Sequence, residues 1–437
     1  MTHELHRLLG TALGDRIPRH VPLKELLPIP VVLFPEDEFQ TLAQGLRSLL
    51  SAQQRILRVL RETHTQQELL DRFCVPHRVR PFVDWKLLDA GANVIGRVDI
   101  VPTASGGYRF CELNIGPAIE GPQMHGHCQE FLRAVGVSTR EYQGGHSPYA
   151  DLGAMIRERC RVEGRERIVI LDLDSYHTDG PLVYDQLLRY VEAQCVGCEV
   201  HLIKISEYRE EWLRQDEARK TLVYRLFLED EVDGQWAQVE RILDSGAYVL
   251  NTFENYILSS KAWFPIFCDE SYRSLLNPAE IAAIEAFVPD SYEITPANLD
   301  SVLANKDRLV FKKADSTEGR GVMLGAEHSP AKLLGVLAGR LGEWSVQELV
   351  PALAPEFPQT RWAEPVAQNV VLGLYHVDGN YSGLLFRCNG NTRVVNLASG
   401  GKVAWALRVT DAEYRKLIDR LDGSARSAPQ LRPATGW

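Results

Sequence analysis

From Arg167 onward the chain alternates in a way that leaves few folds open. "RIVILDLD" is an apolar run with the length and β-branching of a buried strand. "DGPLVYDQLLRYVEAQ" repeats its apolar residues at helical spacing, and "CEVHLIKISEY" is a second strand. "KTLVYRLFLED" and "AYVLNTFEN" continue the pattern. Strands joined through helices run parallel, and helices then cover the sheet. Residues 165–260 are therefore expected to form a small, doubly wound, Rossmann-like parallel sheet. A chain of 437 residues exceeds what one core usually serves, so other domains should flank it.

Before this unit, residues 1–150 read as a helical region followed by a hairpin. "EFQTLAQGLRSLLSAQQRILRVLRETHTQQELLDRF" recurs in Leu without Pro and predicts one long helix or two; the turn-rich "QGGHSPY" marks a boundary near 143–149. After it, residues 261–422 read as helices ("NPAEIAAIEAFV", "PAKLLGVLAGRL") among strands ("RLVFKKA", "GVMLGA", "WSVQELV", "NVVLGLYHV", "YSGLLFRCN", "TRVVNLA"). The tail, 423–437, is expected to be disordered. The overall class is α/β with α+β character.

Composition narrows the function. A net charge of -10 argues against a nucleic-acid footprint, and no apolar run reaches the roughly 18 residues of a membrane span. The N-terminus lacks the basic and apolar regions of a secretory signal. Eight scattered cysteines do not read as a disulfide framework, so a cytoplasmic protein with free thiols is expected. "CVGC" at Cys195 to Cys198 has no second half-site, and a structural role is expected of it.

"GRVDIVPTASGGYRFCELN", residues 96 to 114, reads as two strands about a Ser-Gly-Gly turn. A tight turn on Ser105-Gly106 pairs Asp99 with Glu112 and Arg97 with Asn114. All four then share one face, and Val98, Ile100, Cys111 and Leu113 occupy the other. Opposed carboxylates repel unless a cation lies between them. Asp, Glu and an Asn carbonyl supply hard oxygens suited to Mg²⁺. A solvated face with an Arg97 salt bridge is the competing reading.

Two later segments bear on the choice. "RLVFKKADSTEGRGVMLG", 308 to 325, is a strand ending in Lys and then a loop with Gly319 and Gly321. Amides freed by glycine can cradle phosphate oxygens, although a plain hairpin has the same pattern. "WSVQELV" is a strand whose end has the look of an adenine hinge, and Arg387 and Arg393 fall near a second glycine pair at 400–401.

In this order the motifs resemble circularly permuted ATP-grasp enzymes of the glutathionylspermidine synthetase-like family. "RVD" at 97–99, "ELN" at 112–114, "NTFENYILSSKAWFPIF" at 251–267, "FKKADSTEGRGV" at 311–322, "VQELV" at 346–350 and "LLFR" at 384–387 carry the likeness, over roughly residues 80 to 405. The resemblance implies Asp99, Glu112 and Asn114 as Mg²⁺ ligands, and Arg97 and Arg387 as catalytic arginines. It implies Lys261 and Lys312 as ATP-contacting lysines, Ser316 to Gly321 as the loop over the triphosphate, and Gln347, Glu348, Leu349 and Val350 as the adenine hinge. The family has a proline where this chain has Lys313, so either Lys312 or Lys313 meets ATP. An amidase domain like that of some relatives is not expected here.

The implied activity is ADP-forming carboxylate–amine ligation through an acyl phosphate, in specialised metabolism, with ATP and Mg²⁺ and with small carboxylate and amine substrates. Two rivals stand beside it: loading of an amino acid onto a carrier protein's thiol, and a non-catalytic nucleotide-binding scaffold. "GPAIEGPQMHGH" offers Glu120, His125 and His127 to an acceptor pocket, or is a surface loop.

Overall fold

The computed structural model describes residues 26–91, 95–116, 121–134, 147–174, 181–232, 234–316, 321–357, 364, 366–395, 400–417 and 419. Gly319, Glu120 and the 423–437 tail lie outside these residues.

Three strands come from the N-terminal part: β1 (Leu26–Pro35), β2 (Ile95–Pro102) and β3 (Tyr108–Ile115). Then follow β4 (Arg167–Asp172), β5 (Glu199–Lys204), β6 (Thr221–Arg225) and β7 (Tyr248–Leu250). Next are β8 (Ser291–Glu293), β9 (Leu309–Lys313), β10 (Val322–Leu324) and β11 (Trp344–Glu348). A short pair, β12 (Glu356–Phe357) and β13 (Val366–Ala367), precedes β14 (Asn369–Val377), β15 (Asn380–Asn389) and β16 (Lys402–Val409).

These strands form a six-stranded sheet in the order β1-β16-β15-β14-β2-β3, and four-stranded sheets in the orders β5-β4-β6-β7 and β10-β9-β11-β8. The six-stranded sheet therefore joins strands from both ends of the chain. A division at 150 and 261 separates strands that the structure pairs.

The β4–β7 sheet is parallel throughout, with the order of a doubly wound unit. Alternation along β4 shows why. Ile168 and Ile170 pack among Leu152 and Leu187 of helices α4 (Pro148–Glu163) and α5 (Pro181–Gln194). Val169 and Leu171 point the other way, into the main core with Ile205 and Trp236. Apolar residues on both faces are what a covered parallel strand requires.

The region expected as one helix or two is two, α1 (Glu36–Thr63) and α2 (Gln66–Arg72). Thr65 and Glu68 form a capping box that restarts the helix. Between these and α4 lies α3 (Met124–Ala134). Gly45 lets α1 approach the helix Pro278–Phe287: a Cβ there would sit 2.3 Å from the Phe287 ring. That ring stacks on Phe110 of β3 at 4.6 Å. Gly45→Ala is expected to cost about 1–3 kcal/mol by overpacking, visible as a lower midpoint in urea unfolding; an unchanged midpoint would show that this contact yields.

The hairpin has the expected pairs, Asp99 opposite Glu112 and Arg97 opposite Asn114. The turn is longer than expected. Gly106 and Gly107 have φ of 85° and 92°, the Gly106 N–H donates to Thr103 O at 3.1 Å, and the Thr103 N–H donates to Gly107 O at 3.0 Å. The register slips by one residue beyond Asp99, so Ile100 faces Phe110. Cys111 is the extra residue of this bulge, and it turns from the expected core face to a cavity wall, while Phe110 fills the core.

The strand expected at "TRVVNLA" does not form over its described residues, 392–395; Arg393, Val394 and Val395 instead line the cavity. All eight cysteines are free thiols, including Cys195 and Cys198. No helix among the described residues is long and apolar enough to cross a membrane.

Candidate functional site

A cavity of about 1030 Å³ opens between the six-stranded sheet, the β8–β11 sheet and the carboxyl edge of the parallel sheet. This is at the upper end for a single small-molecule pocket. Val101 and Val370 wall it from one side, and Val310, Val322 and Leu324 from the other. A mixed and an antiparallel sheet thus face each other across a slot with apolar walls.

The polar face of β2 and β3 forms the floor. Asp99 is buried, and each of its oxygens meets a guanidinium. Arg97 Nε donates to Oδ1 at 2.8 Å, and Arg387 Nη2 lies 2.7 Å from Oδ2. Arg387 reaches Asp99 from β15, across β14. Burial alone would raise the Asp99 carboxyl, but the charges of Arg387 and Arg97 outweigh it and hold the pKa down at about 2. Glu112 pairs with Lys261 at 2.8 Å. The repulsion read between Asp99 and Glu112 is therefore relieved by three protein cations.

Two donors on this floor are unmet. Arg387 Nε and Asn114 Nδ2 are buried and find no hydrogen-bond partner among the described residues. Both residues line the cavity. Buried donors without acceptors are costly, and anionic oxygens in the cavity would satisfy them.

Lys312 and Lys313 are separated by the alternation of β9. Lys312 is buried in the cavity wall and donates to Cys111 O and to Gln347 Oε1, both at 2.6 Å. Burial lowers its pKa. Lys313 bridges Asp315 at 2.8 Å and Glu343 at 3.6 Å, and does not line the cavity. Gln347 in turn donates to Ser291 Oγ at 3.3 Å, which fixes the amide that holds Lys312.

Glu348, Leu349 and Val350 line the slot beside Gln347. The Glu348 N–H donates to Asp290 O at 2.7 Å and the Leu349 N–H to Arg308 O at 2.8 Å. Both of these N–H groups are therefore already paired within the fold. Ser316 lines the cavity, and its carbonyl accepts from Lys261 Nζ. Gly321 packs against it: a Cβ on Gly321 would come within 2.3 Å of Ser316 Oγ.

The acceptor-pocket candidates fall elsewhere. His125 is buried against the Trp405 ring at 5.4 Å, and neither it nor His127 lines the cavity, whereas Pro122 and Gln123 do. Among the described residues no three His, Cys, Asp or Glu side chains are grouped to hold a metal ion.

One residue of the site was missed in the sequence. Gly373 of β14 lies opposite Asp99, and a Cβ there would be 2.6 Å from Arg97 Cδ. Its missing side chain is the space in which Arg97 lies. Gly373→Ala should displace the guanidinium from Asp99 and cost about 1–3 kcal/mol by overpacking, read as a lower midpoint in urea unfolding; an unchanged midpoint would show that Arg97 does not need this space.

The fold and cavity define a mixed α/β protein with a cleft, lined by charges of both signs, between a mixed sheet and an antiparallel one. No protein-family model and no curated protein matches the chain. Among solved structures it is similar to a glutathione synthetase-like effector, GSS30, from Globodera pallida, solved in its apo form. The likeness has a TM-score of 0.52 and 14% identity, and it covers 93% of this chain and 97% of that one. At this identity the two share a fold.

Proposed function

We propose that the protein is an ATP-dependent carboxylate–amine ligase with a circularly permuted ATP-grasp fold. The observation that carries this is the cluster formed by the floor and the adjoining wall, where four cations, Arg97, Arg387, Lys261 and Lys312, meet two carboxylates, Asp99 and Glu112, and two buried donors await acceptors. A triphosphate meets both needs. The permuted order is supported by the chain path: the β2–β3 hairpin precedes the Lys312 strand and is completed by β14–β16, which follow it.

ATP lies with adenine in the apolar slot by the hinge and its phosphates toward Lys312, Lys261 and Arg387. A substrate carboxylate oxygen attacks the γ-phosphorus, the bond to the β-phosphate oxygen breaks, and ADP leaves. The amine then attacks the acyl carbon, phosphate departs with the former carboxylate oxygen, and the amine loses a proton. The protein's part is electrostatic: fixed cations stabilise charge on the transferring phosphoryl and on the departing phosphate.

Magnesium fits the donor set by chemistry. Mg²⁺ needs only one or two carboxylates, since phosphates and water complete its shell. Asp99 already has a guanidinium on each oxygen, so Glu112 and the Asn114 carbonyl are the ligands we assign, with Asp99 holding the two arginines. When bound, the ion would neutralise charge on the β- and γ-phosphoryl oxygens.

The test is ADP release against a panel of carboxylates and amines, with mass spectrometry of the products. An amide formed with stoichiometric ADP is expected. ATP binding with no acid-dependent ADP release would instead favour a nucleotide-binding scaffold.

A further inference from the structure

The floor that bears Arg97 continues into an apolar chamber. Ile95 precedes Arg97 by two residues on β2 and so shares its face. It packs with Tyr149 and Leu152 of α4, Leu187 of α5 and Tyr224 of β6 in one buried cluster, with Leu226 against it. All six line the same cavity as Arg97. They meet at the carboxyl edge of the parallel sheet, where ligands of doubly wound sheets bind. Of the charged residues in the turn after β6, Glu231 lines the cavity, and its carboxylate is engaged, accepting the Leu228 N–H at 2.7 Å.

We infer that the acyl donor is a carboxylic acid with an apolar body, branched or aromatic and of leucine or phenylalanine size. The body lies in this chamber and the carboxylate points to Arg97. Naming the occupant as the acyl donor rests on the ligase reading above. A second carboxylate or an ammonium in this chamber would lose its water and meet no opposite charge, only the hydroxyls of Tyr149 and Tyr224 among aliphatic side chains, whereas a hydrocarbon loses nothing. Leu226 is the specificity residue, because it is half-buried on the wall and its replacement does not open the core.

The experiment uses the full chain loaded with a non-hydrolysable ATP analogue. Binding of 3-phenylpropanoate and of succinate is measured by calorimetry, with ADP release from ATP followed in parallel. 3-Phenylpropanoate should bind about 100-fold more tightly than succinate. Leu226→Trp, which fills the chamber, and Leu226→Gln, which makes it polar, should each weaken 3-phenylpropanoate by about tenfold or more and leave the analogue's affinity unchanged. Succinate binding as tightly, or parental affinity in both variants, overturns the inference. If 3-phenylpropanoate binds as described but no ADP appears, the chamber's preference stands and the ligase reading fails. If ADP is released with a polar acid and 3-phenylpropanoate does not bind, the ligase reading stands and this inference fails.

Discussion

Lys312→Met should lower ATP affinity by about 10- to 100-fold, the worth of one charge-assisted contact in a dry site. The substitution keeps the shape of the side chain and removes its charge. It also removes the hydrogen bonds to Cys111 O and Gln347 Oε1. Against that loss stands the relief of a buried ammonium whose pKa burial lowers, so the fold should remain close to the parent's stability. Calorimetric titration with ATP reads the effect directly. Lys313→Met is the control, because Lys313 is held at Asp315 and Glu343 outside the cavity. Equal losses in both variants would contradict the assignment of Lys312.

Asp99→Ala carries the largest effect expected on stability. It leaves Arg97 and Arg387 buried near each other with no anion between them. Removing one member of such a buried network costs about 3–5 kcal/mol, measurable by urea unfolding. ADP release should fall about 100-fold or more, because both arginines lose their common anchor. The wild-type protein should show the same bond in its acid limb. Asp99 titrates at about 2 in the fold and near the ordinary value of about 3.9 when unfolded. Its contribution is thus fully present above about pH 4 and is lost as pH falls toward 2. Asp99→Asn should flatten that part of the stability profile; a variant with the parent's acid limb would show that the two guanidiniums do not hold this carboxylate.

Much of this was legible because period-2 alternation survives in short strands. The pairing of Asp99 with Glu112 followed from one assumed turn, and the parallel unit from the spacing of apolar runs. What escaped had local causes. The bulge at Cys111 breaks the period, and nothing in "RFCEL" announces it. The three prolines of "LLPIPVVLFP" hide β1 from a sequence reading. Its place at the edge of the sheet explains how they are accommodated, since an edge strand has one side free of ladder bonds. "TRVVNLA" has strand composition, yet its described residues follow the cavity rim. The Lys312–Lys313 choice needed the side-chain direction on β9, and the role of Gly373 appears only once β14 is known to lie against β2. His125 and His127 have the chemistry of an acceptor pocket but no sequence signal for their direction, and helix α3 turns them away from the cavity.

In the proposed reaction a carboxylate oxygen becomes bonded to the γ-phosphorus of ATP on the floor formed by Arg97, Asp99 and Arg387. Turnover with an ¹⁸O-labelled carboxylate that supports ADP release tests it directly. The inorganic phosphate should carry a single ¹⁸O derived from the acid, and the nucleotide product none. Label in AMP, label absent from phosphate, or no carboxylate able to support ADP release from bound ATP would contradict it.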